Sequence, residues 1–99
     1  MATLRIDLQG GFDRDMVEIW IDEERRWREE AVTTKFTLDL AASVPLEVPD
    51  GPADVRVTLP ERGIEQVLEA LVAGESYVVV RVENDRLELE QLAEAPYYL

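Results

Sequence analysis

Val44-Pro45-Leu46-Glu47-Val48-Pro49-Asp50-Gly51-Pro52-Ala53-Asp54-Val55-Arg56-Val57-Thr58-Leu59 is the most informative stretch of this chain. Val44, Leu46 and Val48 alternate with Pro45 and Glu47, and Val55, Val57 and Leu59 alternate with Arg56 and Thr58. Period-two alternation puts the three apolar side chains of each arm on one face of a strand. Between the arms, Pro49 fixes φ, Asp50 can hydrogen-bond its own backbone, and Gly51 can adopt the positive φ of a reversal. The stretch reads as a β-hairpin. A slip of one residue would turn all the apolar side chains of an arm outward, so the register is well specified.

Towards the N-terminus, Leu4, Ile6 and Leu8 give a first alternating strand, broken by Gly10-Gly11 and the polar loop Asp13-Arg14-Asp15. Val17, Ile19 and Ile21 give a second, and Asp22-Glu23-Glu24 reads as a tight reversal into Arg25 through Val32. That third strand carries charge on both sides and belongs at a sheet edge, where charge blocks the addition of another chain. Trp20 and Trp27 are expected to face each other as a cross-strand aromatic pair. Thr33 to Thr37, with Phe36, is β-prone, and Leu38 to Ser43 reads as a connection.

Towards the C-terminus, Pro60-Glu61-Arg62-Gly63 is a loop. Ile64, Val67, Leu68, Leu71 and Val72 then fit a helix by spacing, with Gly74 to end it. The same residues also fit a strand, with Val67 and Leu71 on one face and Ile64, Leu68 and Val72 on the other. Neighbouring β segments at short spacing favour the strand. Tyr77 to Val82 is the most secure strand by composition. Asn84-Asp85 suits a two-residue turn that would oppose Leu87 and Leu89 to Val82 and Val80. The fold class expected is all-β, a single-domain antiparallel β-sandwich of seven to eight short strands over residues 1–99. An α+β fold with one helix at about 64–73 is the alternative.

A chain of 99 residues with 46% hydrophobic content suits one domain, burying roughly 60–65% of its unfolded surface. Net charge is −12, Lys35 is the only lysine, and arginine supplies the other positive charges. Such a field repels phosphate backbones, so no nucleic-acid partner is expected. No apolar run is long enough to cross a bilayer and the start lacks a secretory leader, so no membrane insertion is expected and the cytoplasm is the expected location.

Cysteine and histidine are absent, which removes thiolate nucleophiles, zinc–thiolate sites and the commonest general base. The chain is therefore read as non-enzymatic and without a cofactor. Acids in Asp13-Arg14-Asp15, Asp22-Glu23-Glu24, Asp50 and Asn84-Asp85 all fall in loops, where hard oxygen ligands could converge on calcium. Arg25, Arg26, Trp27 and Arg28 form the only basic patch, a candidate recognition site for an anionic or aromatic group. Six flanking acids offer local pairing instead. Residues 95–99 make an apolar tail whose end, Tyr97, Tyr98 and Leu99, is expected to fold back and bury Tyr98 or Leu99 against the sandwich. The competing reading is a free recognition motif.

Val48-Pro49-Asp50-Gly51 before Val55-Arg56-Val57, followed by Ala73-Gly74-Glu75-Ser76-Tyr77-Val78-Val79-Val80, resembles the small Ig-like or transthyretin-like sandwich modules of bacteria, including PEGA-type domains. The resemblance covers about Leu46 to Val82 and implies an accessory, structural or binding domain, with no functional residues carried over. A non-catalytic accessory or protein-interaction domain is thus the expected function, working on a protein partner or by self-association. A calcium- or small-ligand-binding sandwich is the alternative.

Overall fold

Period-two burial runs through most of the strands, as their sequences encode. The computed structural model describes residues 1–96. Its strands are β1 (Ala2–Leu8), β2 (Asp15–Ile21), β3 (Glu24–Val32), β4 (Ala42–Val48), β5 (Gly51–Leu59), β6 (Ile64–Val72), β7 (Glu75–Glu83) and β8 (Arg86–Leu92). They form two four-stranded sheets, ordered β4-β1-β7-β8 and β3-β2-β5-β6. Between the sheets, Leu4, Ile6, Leu8, Val17, Ile19, Val55, Val57, Leu59, Val72, Val78 and Val80 are fully buried. The all-β sandwich is the fold, and residues 64–72 are a strand, not the helix of the alternative. One pairing departs from the expected antiparallel pattern, since β1 and β7 run parallel.

The central stretch is not a hairpin. β4 pairs with β1, opposing Leu46 to Leu4 and Val44 to Ile6. β5 lies in the other sheet, opposing Val57 to Ile19. Alternation had identified the buried faces correctly: Val44, Leu46 and Val48 on one arm, Val55, Val57 and Leu59 on the other. The turn at Pro49-Asp50 carries the chain across the core from one sheet to the other, so both arms still bury the same residues. Pro45, which cannot donate to a ladder, sits on the edge strand β4, where the loss matters least.

Two short turns form as the residues suggest. Asp22 and Glu23 both take positive φ, at 48° and 68°, and Asn84 and Asp85 do so at 51° and 57°. The second turn opposes Leu87 to Val82 and Leu89 to Val80. β3 is an edge strand, as its charge requires. The expected Trp20–Trp27 pair does not form. A register shift opposes Trp20 to Arg25 but Ile19 to Trp27, with Arg26 as the extra residue of a bulge. Trp27 therefore packs on the core, while Trp20 faces outward under the Arg56 guanidinium, 4.7 Å from its ring centroid. Nor is Thr33–Thr37 a strand: β3 ends at Val32, and a turned loop follows.

Side chains bridge both open sides of the sandwich. Arg26 donates across from β3 to the Glu47 carbonyl on β4 at 2.9 Å. On the other side the Gln91 amide of β8 accepts from Leu71 N–H at 3.0 Å and donates to Leu71 C=O at 2.7 Å. Among the described residues no helix is long and apolar enough to cross a membrane. The tail residues Tyr97, Tyr98 and Leu99 lie outside the described residues.

Candidate functional site

Loops β1–β2, β3–β4, β5–β6 and β7–β8 share one end of the sandwich. β1 continues beside β7 past its last residue, with Val82 N–H donating to Gly10 C=O at 2.9 Å. Gly11 then turns with φ at 93°, its Cα against the backbone of Val82, and sends Phe12 into the core at 3% exposure. Thr34 ties this loop to the next one: its hydroxyl accepts from Phe12 N–H at 3.1 Å, and its own N–H donates to Phe12 C=O at 3.0 Å.

Arg62 clasps the same end. It grips the Asp15 carboxylate with two bonds, at 2.8 and 2.7 Å, and reaches Asp85 at 3.3 Å and the Gly11 carbonyl at 3.3 Å. Asp15 is 4% exposed. The hydrogen bond to Asp15, more than any other contact, raises the Arg62 pKa above its ordinary value.

On this braced platform the β3–β4 loop makes a tight turn. Leu38 N–H and Asp39 N–H both donate to Lys35 C=O, at 3.1 and 2.8 Å. Asp39 in turn accepts from Arg81 of β7 at 2.8 Å. Phe36 stands at the tip, 102% exposed, and Leu38 beside it is 39% exposed. Between Phe36 and the Gly10-Gly11-Phe12 backbone lies a cleft of about 530 Å³, walled also by Thr33 and Thr34. The cleft is mainly apolar, a lining that suits a hydrophobic anchor from another molecule. Phe36 drew no functional reading from sequence. The available signal is a large aromatic two residues before Leu38, where the β-prone Thr33–Thr37 gives way to a connection.

The arginine patch does not hold together as a site. Arg25 ion-pairs with Glu18 at 3.0 Å and Arg28 with Glu30 at 3.3 Å. Arg26 is drawn to β4, and Trp27 turns inward, so the four residues do not share one surface. The acidic loops also divide. Asp13, Asp15 and Asp85 lie at the Arg62 end, Asp22, Glu23 and Asp50 at the other. Asp15 and Asp85 converge on a guanidinium, and among the described residues no three acids are placed to hold a metal ion. On the outer face of the first sheet, Asp7 is buried, accepting from Ser43 Oγ at 2.6 Å and Arg5 at 3.2 Å. The Ser43 bond knits β1 to β4.

Glu18 has its carboxyl pKa lowered, first by the Arg25 hydrogen bond, with Thr58 also donating at 3.1 Å. A depressed folded pKa adds stability above the unfolded value, lost as pH falls through the folded one. Arg25→Ala should move the Glu18 titration, followed by NMR, up towards the ordinary carboxylate range. The stability gap between wild type and variant should narrow as pH falls through that range. No family model, curated protein or solved structure matches this chain.

Proposed function

We propose that this chain is a non-catalytic protein-interaction domain that captures its partner at the Phe36 cleft. The observation that carries this reading is the complete exposure of Phe36, 102%, on a loop held by the Lys35 turn and the Arg81–Asp39 pair. A large aromatic fixed outside the core contributes little to folding, and aromatic anchors beside water-excluding pockets dominate protein interfaces. The resemblance to Ig-like accessory modules points the same way. The lack of cysteine accords with a cytoplasmic setting, which is part of the same proposal.

The test is a photocrosslinking phenylalanine analogue at position 36, with the same analogue at Asp50, on an exposed turn at the other end, as the control. A defined adduct in host cells at position 36 and none at 50 is the expected result. Its mass would show whether the partner is another protein or a second copy. No adduct at 36, or the same adduct from both positions, would contradict the proposal. Phe36→Ser should leave the melting curve unchanged.

A further inference from the structure

We propose that the free edge of β6, from Glu65 to Glu69, takes a basic, extended peptide as an added strand. This surface lies on the opposite side of the sandwich from the Phe36 cleft and is independent of it. Leu71 turns both its N–H and its C=O away from β5, since both meet the Gln91 side chain. Backbone direction alternates along a strand, so Glu65, Val67 and Glu69 present their polar groups to the same side. Val67 N–H is held by the side chain of its neighbour Gln66, at 3.1 Å, and, among the described residues, by no strand. Past Gln91 the seam between β6 and β8 opens into a groove of about 560 Å³, running between Ile64–Gln66 and Arg86–Glu88.

The other sheet edges of the β3–β4 side are guarded. β3 has two register shifts and a row of charges, and β4 has Pro45 and a carbonyl covered by Arg26. β6 has no proline, no basic residue and no bulge, and its ladder with β5 runs unbroken from Ile64 to Val72. Unpaired edges of this kind accept a further strand. Val67 and Leu71, 51% and 66% exposed, stand on its outer face, where an added strand would extend the row. Glu65 pairs with Arg56 and Asp85 with Arg62, both at 3.3 Å, and Arg86 also lines the groove, which leaves Glu69 beside Val67 and Glu88 across the groove in a chain that carries −12 overall. That charge selects an occupant in which lysine or arginine alternates with β-branched apolar residues. A second copy is disfavoured, because a two-fold pairing through Val67 would set Glu65 against Glu69 between two chains of the same charge.

The probe is a capped eight-residue peptide alternating lysine and valine, followed by chemical-shift mapping on the whole chain. Its control carries the same charge but is N-methylated at alternate residues, so that it cannot pair with an edge. Shifts at residues 64–70 and 86–90 are expected, with the N-methylated peptide weaker by about tenfold or more, as loss of two or three backbone hydrogen bonds implies. Val67→Pro removes an outward N–H without touching the β5 ladder and should weaken binding similarly, whereas Phe36→Ser should leave it unchanged. Equal binding of the two peptides would show attraction by charge alone and overturn the proposal. So would shifts centred on the Phe36 cleft, or no binding. A peptide-free dimer that Val67→Pro dissolves would also overturn it, giving the edge to a second copy. If Val67→Pro melts early, the peptide comparison on the wild-type chain decides by itself.

Discussion

Gly11→Ala is expected to destabilise the fold by about 3–5 kcal/mol, in the range reserved for direct steric conflict. Gly11 has φ at 93°, outside the range an L side chain readily adopts, and an added Cβ would be driven into the carbonyl of Val82. The obstacle is backbone, fixed by the Val82 N–H bond to Gly10 at 2.9 Å, so neither side can yield cheaply. For a domain this small the melting temperature should fall by about 12–40 °C, at about 4–8 °C per kcal/mol. Gly63 is the control. It also has a positive φ, 68°, but an added Cβ would meet nothing within 4 Å. Gly63→Ala should therefore cost only about 1 kcal/mol, the strain of the backbone alone. Equal melts for the two variants would mean that β1 does not run against β7 at this end.

Arg62→Ala should be the next most damaging change, costing about 3 kcal/mol. The substitution takes from the Asp15 carboxylate, at 4% exposure, its bonds of 2.8 and 2.7 Å to Arg62 and leaves it only the Asp13 N–H at 2.9 Å among the contacts described. Removing one member of a buried pair costs more than removing both. Adding Asp15→Asn to Arg62→Ala should hence restore part of the loss in denaturant melts. Arg62→Lys should restore little, because a point charge cannot reproduce the two-pronged grip. Additive effects of Arg62→Ala and Asp15→Asn would mean that the two side chains do not meet.

Much of the fold was legible because burial imposes a period. Leu4, Ile6 and Leu8, or Val78, Val80 and Val82, are buried as their alternation requires. Alternation names a buried face but not the neighbouring strand. In a sandwich both sheets turn apolar faces to one core, so Val44–Leu59 has the same pattern as a hairpin or as a crossing between sheets. In β6 the helical and extended patterns overlap. Its neighbours settle the matter, since β5 offers a complete antiparallel edge to it. The Trp20–Trp27 pairing failed for a local reason. One bulged residue, Arg26, shifts the phase of Trp27 to Glu29, and no glycine marks the position.

The candidate site was less legible. Charge drew attention to Arg25–Arg28, yet abundant acids nearby absorb those arginines in ion pairs. Loop acids suggested a cation site, whereas Arg62, 47 residues from Asp15 in sequence, occupies that role at one end. Phe36 carries no pattern, because exposure in a loop follows from how distant segments meet. The 33–41 loop faces the 9–14 loop only because β4 lies beside β1.

That placement is open to one direct measurement, the cross-strand nuclear Overhauser contacts of β4 and β5. The crossing between sheets predicts contacts of Leu46 with Leu4 and Val44 with Ile6, and of Val57 with Ile19 and Val55 with Ile21. Backbone contacts of Val44 or Leu46 with Val55 or Val57 would instead establish a hairpin. They would remove β4 from β1 and, with it, the cleft beside Phe36.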